Sequence, residues 1–122
     1  MNPIVHPNIL IICKISANST QLAGVLSKHG FEVEEADSIE AFDSHLDKKG
    51  RFALVLLDLS GFNESIWPRC SQLSKVNIPF LIIASRDLLG LRQQCSQHGA
   101  RHVFVKPLRV AHLLETIRII IG

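Results

Sequence analysis

The residues best placed to do chemistry are an aspartate and a lysine, each at the end of a short apolar run. Asp58 closes the run that begins at Phe52, and Lys106 follows Val103-Phe104-Val105, 48 residues after Asp58. In open α/β sheets, sites form just beyond the carboxyl ends of the strands, where the strand order reverses. We therefore expect Asp58 and Lys106 to form a charged pair in a crevice at that edge.

Five apolar runs alternate with five amphipathic stretches, and this alternation predicts the fold class. The runs are Ile9–Ile12, Phe31–Ala36, Phe52–Leu57, Pro79–Ala84 and His102–Val105. Runs that are almost continuously apolar are typical of parallel strands buried on both faces. We predict a doubly wound, five-stranded parallel sheet of order 2-1-3-4-5, in a flavodoxin-like three-layer α/β/α arrangement, with residues 1–122 forming one domain. Pro107 is predicted to open the last helix at its first turn.

Composition excludes several classes of function. The net charge of +2 is too small for a nucleic-acid-binding domain, and the densest basic cluster is Lys48-Lys49-Gly50-Arg51. No apolar stretch approaches the ~20 residues that a membrane span needs. Cys13, Cys70 and Cys95 are odd in number and widely spaced, which indicates neither a disulfide framework nor a zinc site. We expect a cytoplasmic protein that contacts neither nucleic acid nor membrane.

The sequence resembles the receiver domains of bacterial two-component response regulators over essentially its whole length. The matching segments, in order, are residues 9–12, 29–36, 54–59, 78–85 and 99–107. The Lys106-Pro107 pair after the fifth stretch of the pattern is the most specific match. The resemblance implies that Asp58 stands at the phosphoacceptor position and Lys106 at the position that contacts the phosphoryl group. It also implies a protein partner, either a histidine kinase or an output domain.

The position of the family's metal site departs from the family pattern. Receiver domains carry an acidic pair after the first strand that holds Mg²⁺, and this chain has Cys13-Lys14 there. Mg²⁺ requires several oxygen ligands, and Asp58 is the one carboxylate left. We therefore expect no metal and no other cofactor. Instead, we predict that Lys14 reaches across to Asp58, so that two lysines bracket one carboxylate.

Two further positions of the family's mechanism also differ. A hydroxyl residue that contacts the phosphoryl group is replaced by Ala84, with Ser85 one place later. The aromatic switch residue is replaced by Val103, and Phe104, one position away, is predicted on the opposite face of the strand. Because metal ligands, hydroxyl and aromatic are all changed, the resemblance favours a degenerate receiver domain that is not an enzyme and acts through protein–protein interaction.

Two alternatives stay open. One is a receiver domain that still takes up a phosphoryl group on Asp58. The other is a phosphocysteine-type enzyme, because Cys13 ends a predicted strand and is followed by a loop and a helix, as in enzymes that bind phosphate at a helix N-terminus. Against the second, the loop has no glycine, and Ser19 stands where a Cys-x5-Arg motif needs arginine.

The last helix is predicted to carry an interaction face. Its core-facing stripe comprises Val110, Leu113, Leu114, Ile117 and Ile121. Leu108 and Ile119 fall outside this stripe, and we expect them to be exposed beside the last strand, where either Val103 or Phe104 points outward. Apolar residues outside the core stripe indicate a contact surface, for a self-dimer or for another protein.

Overall fold

A computed structural model describes residues 7–47, 52–86 and 89–122, and it shows strands and helices in strict alternation. The strands are β1 (Asn8–Ile12), β2 (Glu32–Ala36), β3 (Leu54–Asp58), β4 (Phe80–Ala84) and β5 (His102–Val105). The helices are α1 (Ser16–Lys28), α2 (Ile39–Leu46), α3 (Ile66–Lys75), α4 (Leu91–Gln97) and α5 (Val110–Ile121). The basic cluster at residues 48–51 lies outside the described residues. None of the helices in the described segments is long and apolar enough to cross a membrane.

The strands form one parallel sheet in the order β2-β1-β3-β4-β5, so the predicted fold class and strand order are confirmed. All pairings are parallel, with Ile12 opposite Leu57 and Asp58 opposite Ile83. The order reverses at β1, because β2 lies on one side of it and β3 on the other. The carboxyl ends of β1, β3 and β4 therefore meet at one edge of the sheet, where α/β proteins place their sites.

Two apolar clusters cover the two faces of the sheet, and alternate strand residues belong to opposite clusters. One cluster packs the sheet against α1 and α5, with Leu26 and Leu113 fully buried. The other packs it against α2, α3 and α4, with Phe42 and Cys70 fully buried. Because Leu54, Leu56 and Asp58 alternate along β3, the side chain of Asp58 lies on the face covered by α1 and α5.

Helix starts differ in how well the sequence predicts them. The hydroxyl of Ser38 accepts a hydrogen bond of 3.1 Å from the backbone N–H of Ala41, so Ser38 caps α2 as its residue type favours. By contrast, α5 begins at Val110 rather than at Pro107, and the prediction for Pro107 is wrong. A proline can occupy the first turn of a helix, but it equally fits the extended segment that leads into one.

Strand β2 forms one edge of the sheet and is acidic. Three of its five residues are glutamates, Glu32, Glu34 and Glu35. Glu34 accepts a hydrogen bond of 3.0 Å from the side-chain amide of Asn8 and lies 3.6 Å from the imidazole of His45. Glu32 and Glu34 lie on one face of this edge strand and Glu35 on the other, so the edge carries carboxylates on both faces.

Candidate functional site

An ion pair between Asp58 and Lys106 lies at the carboxyl edge of the sheet. The Nζ atom of Lys106 is 2.8 Å from Oδ2 of Asp58, and the side chains are 32% and 8% exposed. The backbone N–H of Lys106 donates to the carbonyl of Ala84 at 2.9 Å and so holds Lys106 beside β4. The peptide bond between Lys106 and Pro107 is cis. The structure thus brings together the two residues that the sequence singled out.

The other oxygen of Asp58 is also engaged. Its Oδ1 atom accepts a hydrogen bond of 2.9 Å from the backbone N–H of Ser60. An aspartate that accepts from the N–H two residues later forms a local turn, so the Asp58-Leu59-Ser60 sequence itself favours this contact. Both carboxylate oxygens are therefore satisfied within the protein, and the charge is held in one orientation.

Lys14 does not bracket Asp58, and the predicted second lysine contact is wrong. The Lys14 ammonium lies 5.2 Å from the centroid of the Phe62 ring, in range for a cation–π contact. Its aliphatic chain crosses Gly61, where a Cβ atom would come within 3.1 Å of Lys14 Cδ. Gly61 has a φ of +83°, which glycine adopts without strain. The exposed lysine therefore lies along the loop after β3, and the ion pair of Asp58 is with Lys106 instead.

Cys13 follows β1 and lies beside the carboxylate without a strong bond to it. Its Sγ atom is 3.9 Å from Oδ2 of Asp58 and 3.4 Å from the carbonyl oxygen of Ile15. Burial raises the pKa of the Cys13 thiol, and the neighbouring Asp58 charge adds to the effect. A thiol nucleophile requires the opposite, a lowered pKa that makes the thiolate available. This environment does not favour nucleophilic chemistry at Cys13.

The hydroxyl residues near the site pair with one another. Ala84 ends β4 and is buried, whereas Ser85 is exposed and its Oγ atom lies 2.7 Å from Oγ of Ser60. Ser60 was not singled out from the sequence. The signal that could have found it is its position two residues after Asp58, where both its backbone and its side chain reach the carboxyl edge of the sheet.

Neither Val103 nor Phe104 of the last strand is exposed, contrary to expectation. Val103 and Phe104 are both buried, and they belong to the two different core clusters, which confirms that they lie on opposite faces. Phe104 packs edge-on against the rings of His102 and His112, with centroid distances of 4.6 and 5.1 Å. Both faces of the sheet are covered at β5, since helices pack on each side.

Of the two residues predicted for the interaction face, Leu108 and Ile119, the structure exposes only Ile119. Ile119 is 76% exposed, as expected. Leu108, however, precedes α5 and is half-buried against the core, so its assignment to the same face as Ile119 is wrong. The error follows from the late helix start at Val110, because the helical spacing that relates Ile119 to Leu108 does not extend that far.

The residues around Asp58 do not fit Mg²⁺, the ion that the resemblance implies. Mg²⁺ prefers six oxygen ligands in near-octahedral geometry. The oxygen groups at this edge are the Asp58 carboxylate, which already accepts from Lys106 and from the backbone N–H of Ser60, and the hydroxyls of Ser60 and Ser85, which pair with each other. The other neighbours of Asp58 are a thiol and an ammonium, which are not oxygen ligands. Within the described segments no group of three or more His, Cys, Asp or Glu side chains could hold a metal.

A cavity of about 370 Å³ opens beside the ion pair, between α1 and the segment that leads into α5. Asp58, Lys106 and Cys13 line one end of it, and Ser19 of α1 lines its wall. Ser19 is 3% exposed, and its hydroxyl has no hydrogen-bond partner among the described residues. The sequence carried a signal for its burial, since Ser19, Leu22 and Leu26 share one helical face at spacings of three and four.

Comparison with solved structures identifies the fold. A two-component response regulator from Clostridium difficile matches with a TM-score of 0.85 at 20% identity, over 94% of this chain and 95% of that one. A CheY-like response regulator receiver domain protein from Methanospirillum hungatei also gives 0.85 at 20% identity, over 96% and 94%. The chain has the receiver-domain fold.

A third solved structure with the receiver fold is a response regulator from Burkholderia pseudomallei that contains a phosphorylated aspartic acid, a calcium ion and citrate. It matches with a TM-score of 0.79 at 21% identity, over 91% of this chain and 66% of that one. The sequence matches neither a protein-family model nor a curated protein. Identities of about 20% establish the receiver fold, and the function has to be argued from the site.

Proposed function

We propose that this chain is a single receiver-type signalling domain that acts through protein–protein contact and does not use Mg²⁺-dependent phosphorylation of Asp58. The observation that carries the proposal is that Asp58 is the one carboxylate at the ion pair, and that a thiol, Cys13, lies 3.9 Å from its Oδ2 atom. In Mg²⁺-dependent transfer, the divalent ion neutralises charge on the transferred group. One carboxylate beside a thiol and an ammonium offers too few oxygen ligands to hold that ion.

The proposal includes a protein partner and no catalytic activity. The resemblance points to a histidine kinase or an output domain, and the outward face of α5 around Ile119 is the contact surface that we propose. Because Val103 takes the place of the aromatic switch residue, the contact would be constitutive. The three buried free cysteines suit the cytoplasm, in which we place the domain.

The decisive experiment is incubation with acetyl phosphate and Mg²⁺, followed by intact mass spectrometry. We expect the wild-type chain to gain no phosphoryl group. A stoichiometric gain that disappears in Asp58→Asn would contradict the proposal and establish Asp58 as a working acceptor.

A gain-of-function variant provides the matched control. In Cys13→Asp/Lys14→Asp, two carboxylates stand beside Asp58, as the resemblance implies for a metal-binding receiver domain. We expect this variant to acquire a phosphoryl group in the presence of Mg²⁺ and to lose it when Asp58 is also replaced by asparagine. Phosphoryl uptake by the double variant but not by the wild type would show that Cys13 and Lys14 are what prevents phosphorylation of Asp58.

A phosphorylatable receiver domain is the second candidate. It is favoured by the 2.8 Å contact between Lys106 and Asp58, because the same lysine could bind the oxygens of a phosphoryl group on that carboxylate. The Burkholderia pseudomallei regulator shows that a protein with this fold can hold a phosphorylated aspartate. The acetyl phosphate experiment separates the two candidates directly.

A further inference from the structure

The cavity between α1 and the segment before α5 is open to solvent on one side and large enough to admit a small molecule. An apolar cavity of ~150 Å³ in another protein already binds benzene. The cavity here measures about 370 Å³, which is within the range of small-molecule pockets. Its size arises from the extended course of the chain between Lys106 and Val110, since α5 does not begin until Val110.

The lining is mainly apolar and comes from three parts of the fold. The sheet contributes the floor, α1 contributes one wall, and the start of α5 contributes the other. The principal apolar lining residues are Ile11, Leu22, Val25, Leu56, Ile83 and Val110. Water beside these apolar residues finds few hydrogen-bond partners, so an apolar occupant is stabilised by releasing it.

One polar group inside this apolar lining has no partner. The hydroxyl of Ser19 is buried, and a helical serine usually satisfies itself by donating to the carbonyl four residues earlier. Here that carbonyl, of Ile15, already accepts from the backbone N–H groups of Asn18 and Ser19 at 3.1 and 3.2 Å. It also accepts from the Cys13 thiol at 3.4 Å. The Ile15 oxygen is therefore crowded, and the Ser19 hydroxyl, buried in the wall of the cavity, would gain a partner by rotating toward an occupant.

The charges at the end of the cavity restrict the occupant. Asp58 and Lys106 neutralise each other there, so the site offers no unpaired charge to an ionic ligand. An anion would meet the carboxylate, and a cation would meet the ammonium. A neutral molecule avoids both costs, because burying an unpaired charge in such a site is strongly unfavourable.

We propose that this cavity binds a small, neutral, largely apolar molecule that carries one hydroxyl or similar group to pair with Ser19. The volume suits a bicyclic aromatic or a branched aliphatic compound. This inference goes beyond the proposed function and does not depend on it, because the cavity exists whether or not Asp58 takes up a phosphoryl group.

The test compares 2-naphthol with naphthalene, two probes that differ by one hydroxyl. Titrations followed by amide chemical shifts should show saturable binding of both, with the largest shifts at Ser19, Val25 and Val110. We expect 2-naphthol to bind about fivefold more tightly, the ratio that ~1 kcal/mol of hydrogen-bond energy gives. No saturable binding of either probe, or shifts confined to other surfaces, would overturn the proposal.

Three variants make the test specific. Ser19→Ala should bind both probes equally, whereas Ser27→Ala, at an exposed position of the same helix, should keep the preference. Ser19→Ala should also melt no lower than the wild type without ligand, because it removes an unsatisfied buried hydroxyl. Val25→Phe, which fills the cavity, should weaken the binding of both probes at least tenfold. A preference that survives in Ser19→Ala, or unchanged binding in a folded Val25→Phe, would refute the assignment.

Discussion

At the residue scale, Asp58 is held by two contacts of different kinds, and they can be separated by mutation. In Asp58→Asn the side-chain oxygen can still accept from the N–H of Ser60, but the neutral amide no longer balances the Lys106 charge. Exposed ion pairs contribute up to ~1 kcal/mol, and breaking a buried pair costs ~3–5 kcal/mol. With a buried carboxylate and a lysine one-third exposed, we expect Asp58→Asn to lower the free energy of unfolding by about 2 kcal/mol in urea titrations.

Double-mutant cycles identify which lysine is coupled to this carboxylate. Asp58→Asn and Lys106→Met should be non-additive by ~0.5 kcal/mol or more, as for residues in contact. Asp58→Asn and Lys14→Met should add within ~0.5 kcal/mol, because Lys14 lies against Phe62. Coupling of Asp58 to Lys14 as strong as that to Lys106 would contradict the geometry.

The thiols provide a second test at this scale. Burial raises the pKa of Cys13 and of Cys95, and it raises that of Cys70 to about 12. Since the thiolate is the reactive form, we expect all three to alkylate with iodoacetamide more slowly than free cysteine at neutral pH, with Cys70 reacting only after unfolding. Intact mass spectra over a pH series measure this. Fast, selective modification of Cys13 at neutral pH would favour the phosphocysteine alternative.

Side-chain direction explains which parts of the site the sequence could predict. Asp58 and Lys106 meet because each directly ends or follows a buried strand, and the positions of parallel strands fix their separation. Lys14 has a long flexible side chain after a strand, and the sequence does not determine whether it turns toward Asp58 or toward Phe62. Ser19 lay on a recognisable apolar stripe, but the crowding of the Ile15 carbonyl depends on backbone geometry.

At the scale of elements, β5 and α5 meet through the rings of His102, Phe104 and His112. Burial lowers the pKa of His102, and the nearby His112 and Arg92 lower it further. The unfolded chain, with an ordinary histidine pKa of about 6.5, therefore binds a proton more readily than the folded one. The contribution of His102 is complete above that pH and is lost as the pH falls through the folded-state value.

The expected consequence is a pH-dependent stability that involves β5. The free energy of unfolding should fall more in the wild type than in His102→Gln when the pH is lowered from about 7.5 to about 5.5. His112→Gln should lose an intermediate amount of stability over this pH range, because it removes the second cause of the lowered His102 pKa. Equal slopes for the wild type and His102→Gln would show that this group does not control the effect.

The strands were predictable from the sequence, whereas helix starts were less so. Apolar runs bounded by turns leave few choices of strand, and strict alternation with helices then fixes a parallel sheet. The start of α5 was misplaced by three residues, since proline fits both a first helical turn and the extended segment before it. That displacement moved Leu108 from the predicted surface into the wall of the cavity.

At the scale of the whole molecule, the exposed apolar surface of α5 is small. A specific interface buries about 1,200–2,000 Å² in total, around an apolar centre. Ile119 is well exposed, whereas Val110, 38% exposed, lies on the core-facing side at the mouth of the cavity. We expect the chain to sediment as a monomer at micromolar concentrations, because this surface is too small for a stable self-dimer, and we propose a different protein as the partner.

The substitution Ile119→Lys tests this contact surface. It should leave the free energy of unfolding within ~0.5 kcal/mol of the wild-type value, as for other exposed positions, while weakening binding of a partner protein. Val76→Lys, which changes an exposed apolar residue at the end of α3, is the matched control and should affect neither. Dimers in the wild type that dissociate in Ile119→Lys would restore the self-association model.

The glutamates of the edge strand β2 affect how the folded protein behaves at high concentration. An unpaired edge strand can recruit a strand from another copy, and charged side chains along that edge oppose the contact. Glu32, Glu34 and Glu35 would bring like charges close together, on both faces of the sheet, if two such edges paired. Removing these charges should therefore expose the edge: Glu32→Thr/Glu35→Thr should self-associate through β2, as followed by light scattering, at concentrations at which the wild type stays monomeric.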